Sequence, residues 1–114
     1  MRVVYLGRDL MMGSRIAAAA DAAGASLLRV GEPSGLPPPD QADLVLVDWS
    51  ERQPEWAAVI SKWCALAPEH SGLRLILFGP HVDLDAHADA RAAGLGPMMA
   101  RSWLVSHLAE AIAE

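Results

Sequence analysis

The chain alternates short, almost unbroken aliphatic runs with longer stretches in which apolar residues return every third or fourth position. "VVYLG" (3 to 7), "DLVLVD" (43 to 48) and "LRLILFG" (73 to 79) carry no polar alternation, which marks strands covered on both faces. "ASLLRV" (25 to 30) is a less hydrophobic strand, placed nearer an edge, and "GPMMAR" (96 to 101) a brief fifth. Between them, "DLMMGSRIAAAADAAG" (9 to 24) puts Ile16, Ala20 and Ala23 on one helical face and stops at Gly24. "PEWAAVISKWCALA" (54 to 67) is a helix with Pro54 pre-set for its first turn and an apolar stripe of Trp56, Val59, Ile60, Trp63 and Ala67. "LDAHADARAAG" (84 to 94) is a short helix ending at Gly94. "SWLVSHLAEAIAE" (102 to 114) closes the chain, with Ser102 as N-cap and Leu104, Leu108, Ala111 and Ile112 inward. One connection breaks the rhythm. "GEPSGLPPPDQA" (31 to 42) holds four prolines, so it is a crossover without a helix.

Strands alternating with helices give a parallel sheet with right-handed crossovers. The expected architecture is α/β, a three-layer flavodoxin-like fold with five parallel strands in the order 2-1-3-4-5, formed by residues 1 to 114 as one domain without an output domain. Its switch point lies between the first and third strands, and ligands of such sheets collect at the carboxyl ends. That edge gathers Gly7, Arg8, Asp9, Asp48, Trp49, Gly79, Pro80, His81, Arg101 and Ser102.

Composition narrows the function. A hydrophobic content of 53% with only 5% aromatic residues gives an aliphatic, alanine-rich interior and excludes intrinsic disorder. The net charge of −5 and the lone lysine, Lys62, argue against direct binding of nucleic acid or an anionic membrane. A single cysteine, Cys64, sits in a helical stripe as a small hydrophobe and suits a reducing cytoplasm. No segment resembles a signal peptide or approaches a membrane span.

Candidate chemistry is sparse. "GPHVDLDAHAD" (79 to 89) offers His81, Asp83, Asp85, His87 and Asp89, but alternate spacing scatters them around a helix instead of aligning metal ligands. A solvated helix start with Asp83 or Asp85 as N-cap is the simpler reading. His81 directly follows the fourth strand and can turn into the edge pocket or lie on the surface. "GSR" (13 to 15) lacks the repeated glycines of a phosphate loop. No Ser/His/Asp order, metal-ligand spacing or glycine fingerprint indicates an enzyme, a metal or a cofactor. Trp56 and Trp63 are expected in the core, Trp49 and Trp103 on the rim.

"DLVLVDW", in register with four other strands, resembles the strand that ends in the phospho-accepting aspartate of receiver domains from bacterial two-component response regulators. The resemblance covers essentially the whole chain. It implies that Asp48 is the phosphoacceptor equivalent, with a pair of acids after the first strand holding magnesium. It further implies a hydroxyl residue at the end of the fourth strand and a lysine followed by proline at the end of the fifth. This chain has Gly7 and Arg8 with one acid displaced to Asp9, then Gly79, then Arg101 and Ser102, with Met98 in the place of a switching aromatic. The family's second helix is replaced by the proline segment.

Phosphoryl transfer to a carboxylate brings two anions together, and magnesium offsets the repulsion. A guanidinium beside Asp48 repels such a cation and neutralises the acid itself. The sequence therefore predicts a pseudo-receiver in which Arg8 or Arg101 takes the role of metal and phosphate together. It would act by protein interaction or as a homodimer through Met98, Met99 and Trp103. The same methionines would equally fill an aromatic-poor core, and Asp48 would equally be a strand-end cap. The alternative function is a small-molecule or anion sensor using Arg8, Asp9, His81, Arg101 and Ser102.

Overall fold

The computed structural model describes residues 1–113. Five strands, β1 (Arg2–Leu6), β2 (Ser26–Val30), β3 (Leu44–Asp48), β4 (Arg74–Gly79) and β5 (Met98–Ala100), form one sheet in the order β2-β1-β3-β4-β5. All pairings are parallel; Val4 lies opposite Val45, and Val45 opposite Leu75. The helices are α1 (Leu10–Ala22), α2 (Trp56–Ala65), α3 (Leu84–Ala92), α4 (Arg101–Ser106) and α5 (Leu108–Ala113). This is the three-layer flavodoxin-like arrangement that the alternating pattern predicts.

Two cores explain why the strands show no polar alternation. Successive strand residues point to opposite faces, and here both faces are covered. Val3, Tyr5, Leu44, Leu46 and Phe78 pack with Ile16 of α1, Leu104 of α4 and Ile112 of α5. Val4, Leu6, Val45, Val47 and Leu77 pack with Ile60 of α2 and Ala86 and Ala90 of α3. β2 is only half-buried, as its weaker hydrophobicity predicts for an edge.

The proline segment forms two 3-10 turns, Pro33–Gly35 and Pro39–Gln41, and no α-helix. It is fastened to α2 by Trp63, whose indole nitrogen donates to the Pro37 carbonyl at 2.8 Å. Asp83 caps α3 by accepting from the Ala86 amide at 3.0 Å. Gly24 and Gly94 follow α1 and α3 with φ of +71°, the left-handed geometry that favours glycine.

Several local expectations are corrected. The last helix is broken at His107, whose Nδ1 pairs with the Trp103 carbonyl at 2.7 Å and so satisfies a C-terminal backbone group of α4. Ser102 is not an N-cap: β5 runs straight into α4, Ala100 holds the cap position, and Ser102 lies inside the first turn. Pro54 precedes α2 rather than opening it, because a turn intervenes and Glu55 is the cap residue. Ala23 is exposed at the end of α1 instead of sharing its inner face.

Candidate functional site

Every residue of β3 is buried, including Asp48, which is only 1% exposed. A carboxylate withdrawn from water in this way needs hydrogen bonds and a counter-charge. Ser50 supplies two of the bonds: its hydroxyl and its amide, the latter at 3.2 Å, both donate to Oδ1 of Asp48. The charge comes from Arg101. Its Nη2 donates to Oδ1 at 3.0 Å and to Oδ2 at 2.9 Å, and the same nitrogen lies 3.2 Å from the Ser50 hydroxyl.

Arg101 reaches this point because β5 ends one residue before it, so α4 begins directly over the carboxyl end of the sheet. Its guanidinium carbon lies over the Phe78 ring, 5.3 Å from its centre, a cation–π contact at the sheet edge. Nη1 extends to Asp9 at 3.5 Å. Asp9 itself is the N-cap of α1, its Oδ1 accepting from the amides of Met11 and Met12 at 2.9 and 3.1 Å. One guanidinium thus joins the ends of β1, β3 and β5.

Two further side chains close the site. The Tyr5 hydroxyl sits against the Asp9 backbone, 3.3 Å from its amide. Burial, with the negative charge of Asp48 next in importance, pushes the phenol up to about 12. Gly7 makes room for it, since a Cβ there would lie 2.6 Å from the Tyr5 hydroxyl oxygen. Glu51 comes back toward Asp48 from the loop after β3 and accepts from the Arg8 amide at 2.9 Å. Its carboxyl is held above the ordinary glutamate range, first by burial; the Arg8 amide offsets this, and Asp48 adds to it.

Of the predicted site residues, the structure brings together Asp48, Asp9, Arg101 and Gly79. A side chain at Gly79 would place its Cβ 3.0 Å from the Met98 sulfur, so the methionine occupies the space that a hydroxyl residue would need. Arg8 is corrected: its guanidinium does not face Asp48 but pairs with Glu32 at 3.0 Å, both side chains being largely exposed. His81 lies on the surface, and its carbonyl, not its ring, is engaged, by the His87 ring at 2.9 Å. Ser102 is exposed, and its carbonyl accepts from the Ser106 hydroxyl. The anion-sensor set therefore does not converge on one pocket.

The tryptophan and methionine expectations divide. Trp49 is fully buried, against the prediction of a rim position, with its indole nitrogen donating to the Ala86 carbonyl at 3.0 Å. Trp103 is 39% exposed and stacks on His107. Met98 is buried and belongs to the core rather than to an interaction surface, while Met99 is half-buried. Ser50 and Glu51 are the site residues that sequence reading missed. Their signal was their place in the loop directly after Asp48, which orders no side chain by itself.

Chemically, the Asp48 carboxylate is engaged at both oxygens: each accepts from the same cation, and Oδ1 takes two bonds from Ser50 as well. Among the described residues, no group of three or more His, Cys, Asp or Glu side chains is placed to hold a metal ion. Nor, among the described residues, is any helix long and apolar enough to cross a membrane.

No family model and no curated protein matches the chain. Solved structures do. A CheY-like response regulator receiver domain protein from Methanospirillum hungatei superposes with a TM-score of 0.72 at 16% identity, covering 98% of this chain and 90% of its own. A response regulator from Thermotoga maritima gives 0.68 at 16% identity, covering 98% and 93%. A protein described as the pilus assembly protein CpaE, from Burkholderia thailandensis, gives 0.70 at 20% identity, covering 99% and 95%. The fold is that of receiver domains, as the "DLVLVDW" register predicts, and the CpaE protein shares it.

Proposed function

We propose that residues 1 to 114 act as one atypical receiver-like unit, a bacterial cytoplasmic interaction module that works without magnesium-dependent phosphorylation of Asp48 and without catalysis of its own. The observation that carries this reading is the contact of Arg101 Nη2 with both Asp48 oxygens, at 3.0 and 2.9 Å. Attack on phosphorus needs a carboxylate oxygen open to the phosphoryl donor and a cation bridging the two anions. Arg101 covers the buried carboxylate and repels the cation. The pair fixes the edge of the sheet in one arrangement, so a partner meets a preformed surface. The likeness to a pilus assembly protein as well as to response regulators supports an assembly or regulatory role.

The partner is a protein or a second copy, with Met99 and Trp103 on the α3-β5-α4 face as the first candidates for contact. The net charge of −5 disfavours nucleic acid and anionic membranes. Incubation with acetyl phosphate and magnesium, followed by intact-mass measurement, tests the central claim. The expected spectrum is that of the unmodified chain; a phospho-adduct mapped to Asp48 overturns it. Sedimentation across a dilution series separates homodimer from monomer.

A further inference from the structure

The crossover that lacks a helix leaves a groove of about 640 Å³ beside the first turns of α2. Its walls carry Arg8, Glu32, Glu51 and Glu55, and its apolar side is Trp56 and Val59. The lining thus carries three carboxylates to one guanidinium, and that guanidinium is already paired with Glu32. Glu55 makes no capping bond and no ion pair among the described residues. Val59 is 40% exposed, although it belongs to the apolar stripe of α2.

We propose that this groove receives a segment of a partner protein that inserts a lysine or arginine side chain flanked by an aliphatic residue. Charge complementarity selects the occupant. An incoming cation lies among Glu32, Glu51 and Glu55, and its aliphatic neighbour covers Val59 and the edge of Trp56. Glu51 gains most, since it lies beside Asp48 and, among the described residues, has a bond from the Arg8 amide but no ion pair. An anionic metabolite is repelled by the same walls. A second copy is a poor occupant, because two chains of net charge −5 repel. This inference adds a second contact surface to the interaction role proposed above and rests on that role, but not on the state of Asp48.

The test uses the full chain and a short fluorescent peptide of alternating lysine and leucine, with its glutamate and leucine counterpart as control. Saturable anisotropy with the lysine peptide and none with the control is expected at physiological salt. The double variant Glu32→Lys with Glu55→Lys should weaken binding by about tenfold or more. The variant Asp21→Lys with Glu69→Lys, which changes net charge equally at exposed positions away from the groove, should leave it unchanged. Equal loss in both double variants, or no saturable binding, overturns the proposal. Amide shift mapping on the unsubstituted chain decides independently of variant folding: shifts must centre on Glu32, Glu55 and Val59, and shifts elsewhere overturn it. A phospho-adduct on Asp48 would remove the phosphorylation-free reading and leave this groove untouched.

Discussion

Asp48 and Arg101 hold each other in place, and the consequences differ for the two partners. Removing the guanidinium leaves a carboxylate that is 1% exposed, with Ser50 as its donor and no counter-charge in contact. Breaking a fully buried pair costs about 3–5 kcal/mol, and the Arg101 side chain retains partial exposure, so Arg101→Met should cost about 2 kcal/mol in urea unfolding. Asp48→Asn in the Arg101→Met background should recover most of that loss, since no buried charge then remains. Glu51 behaves in the opposite sense. A carboxyl whose folded pKa exceeds its unfolded value gives stability at pH below the unfolded value and loses it as pH rises through the folded one. Glu51→Gln removes that loss while still accepting from the Arg8 amide. Its melting temperature should exceed the parent's at neutral pH, and the gap should close as pH falls below the ordinary glutamate value of 4.5. The single tyrosine allows a further check, because phenolate absorbance should appear only near pH 12 or on alkaline unfolding.

At the level of elements, connections decide more than the helices themselves. The sheet edge is ordered because β5 passes into α4 with no intervening loop, and because the loop after β3 is tied to α3. That tie combines the Trp49 indole bonded to Ala86 with Arg52 donating to Asp89 at 2.7 Å. The stop of α3 is equally local. Gly94 has φ of +71° and nothing within 4 Å of a Cβ built there, so Gly94→Ala meets no clash and only the left-handed backbone cost. Thermal unfolding should register about 1 kcal/mol of destabilisation. The helix starts and stops at Asp83, Gly24 and Gly94 were legible because caps are local chemistry. The break at His107 was not, since "SWLVSHLAEAIAE" keeps an apolar face on both sides of it and the ring-to-carbonyl contact exists only once α4 is docked.

At the scale of the whole molecule, two aliphatic cores on either side of one sheet place β1 and β3 at the centre, with neighbours on both sides. Hydrogen exchange should be slowest for the amides of residues 4–6 and 45–47 and fast for 33–41, whose 3-10 turns contribute no buried residue. Comparable protection across both segments would contradict this division. The acidic groove and the occupied carboxylate site lie at the same edge of the sheet, so a partner seated in one lies near the other without needing any chemistry at Asp48.

The run of aliphatic residues in each strand, the spacing of the helical stripes and the prolines between 33 and 39 determined the layers, the strand order and the missing helix, because burial on both faces and backbone restriction are written residue by residue. The same local logic placed Asp48 at the end of its strand. Which arginine would meet it depended on packing that no spacing encodes: Arg8 and Arg101 both leave the sheet at the same edge, and only the direct entry of β5 into α4, with the Phe78 ring beneath, turned Arg101 inward and left Arg8 to Glu32. Trp49 likewise lies in the core instead of on the rim, and of the two readings open for Met98 the structure takes the core, because both side chains pack under α3 in an interior poor in aromatic residues.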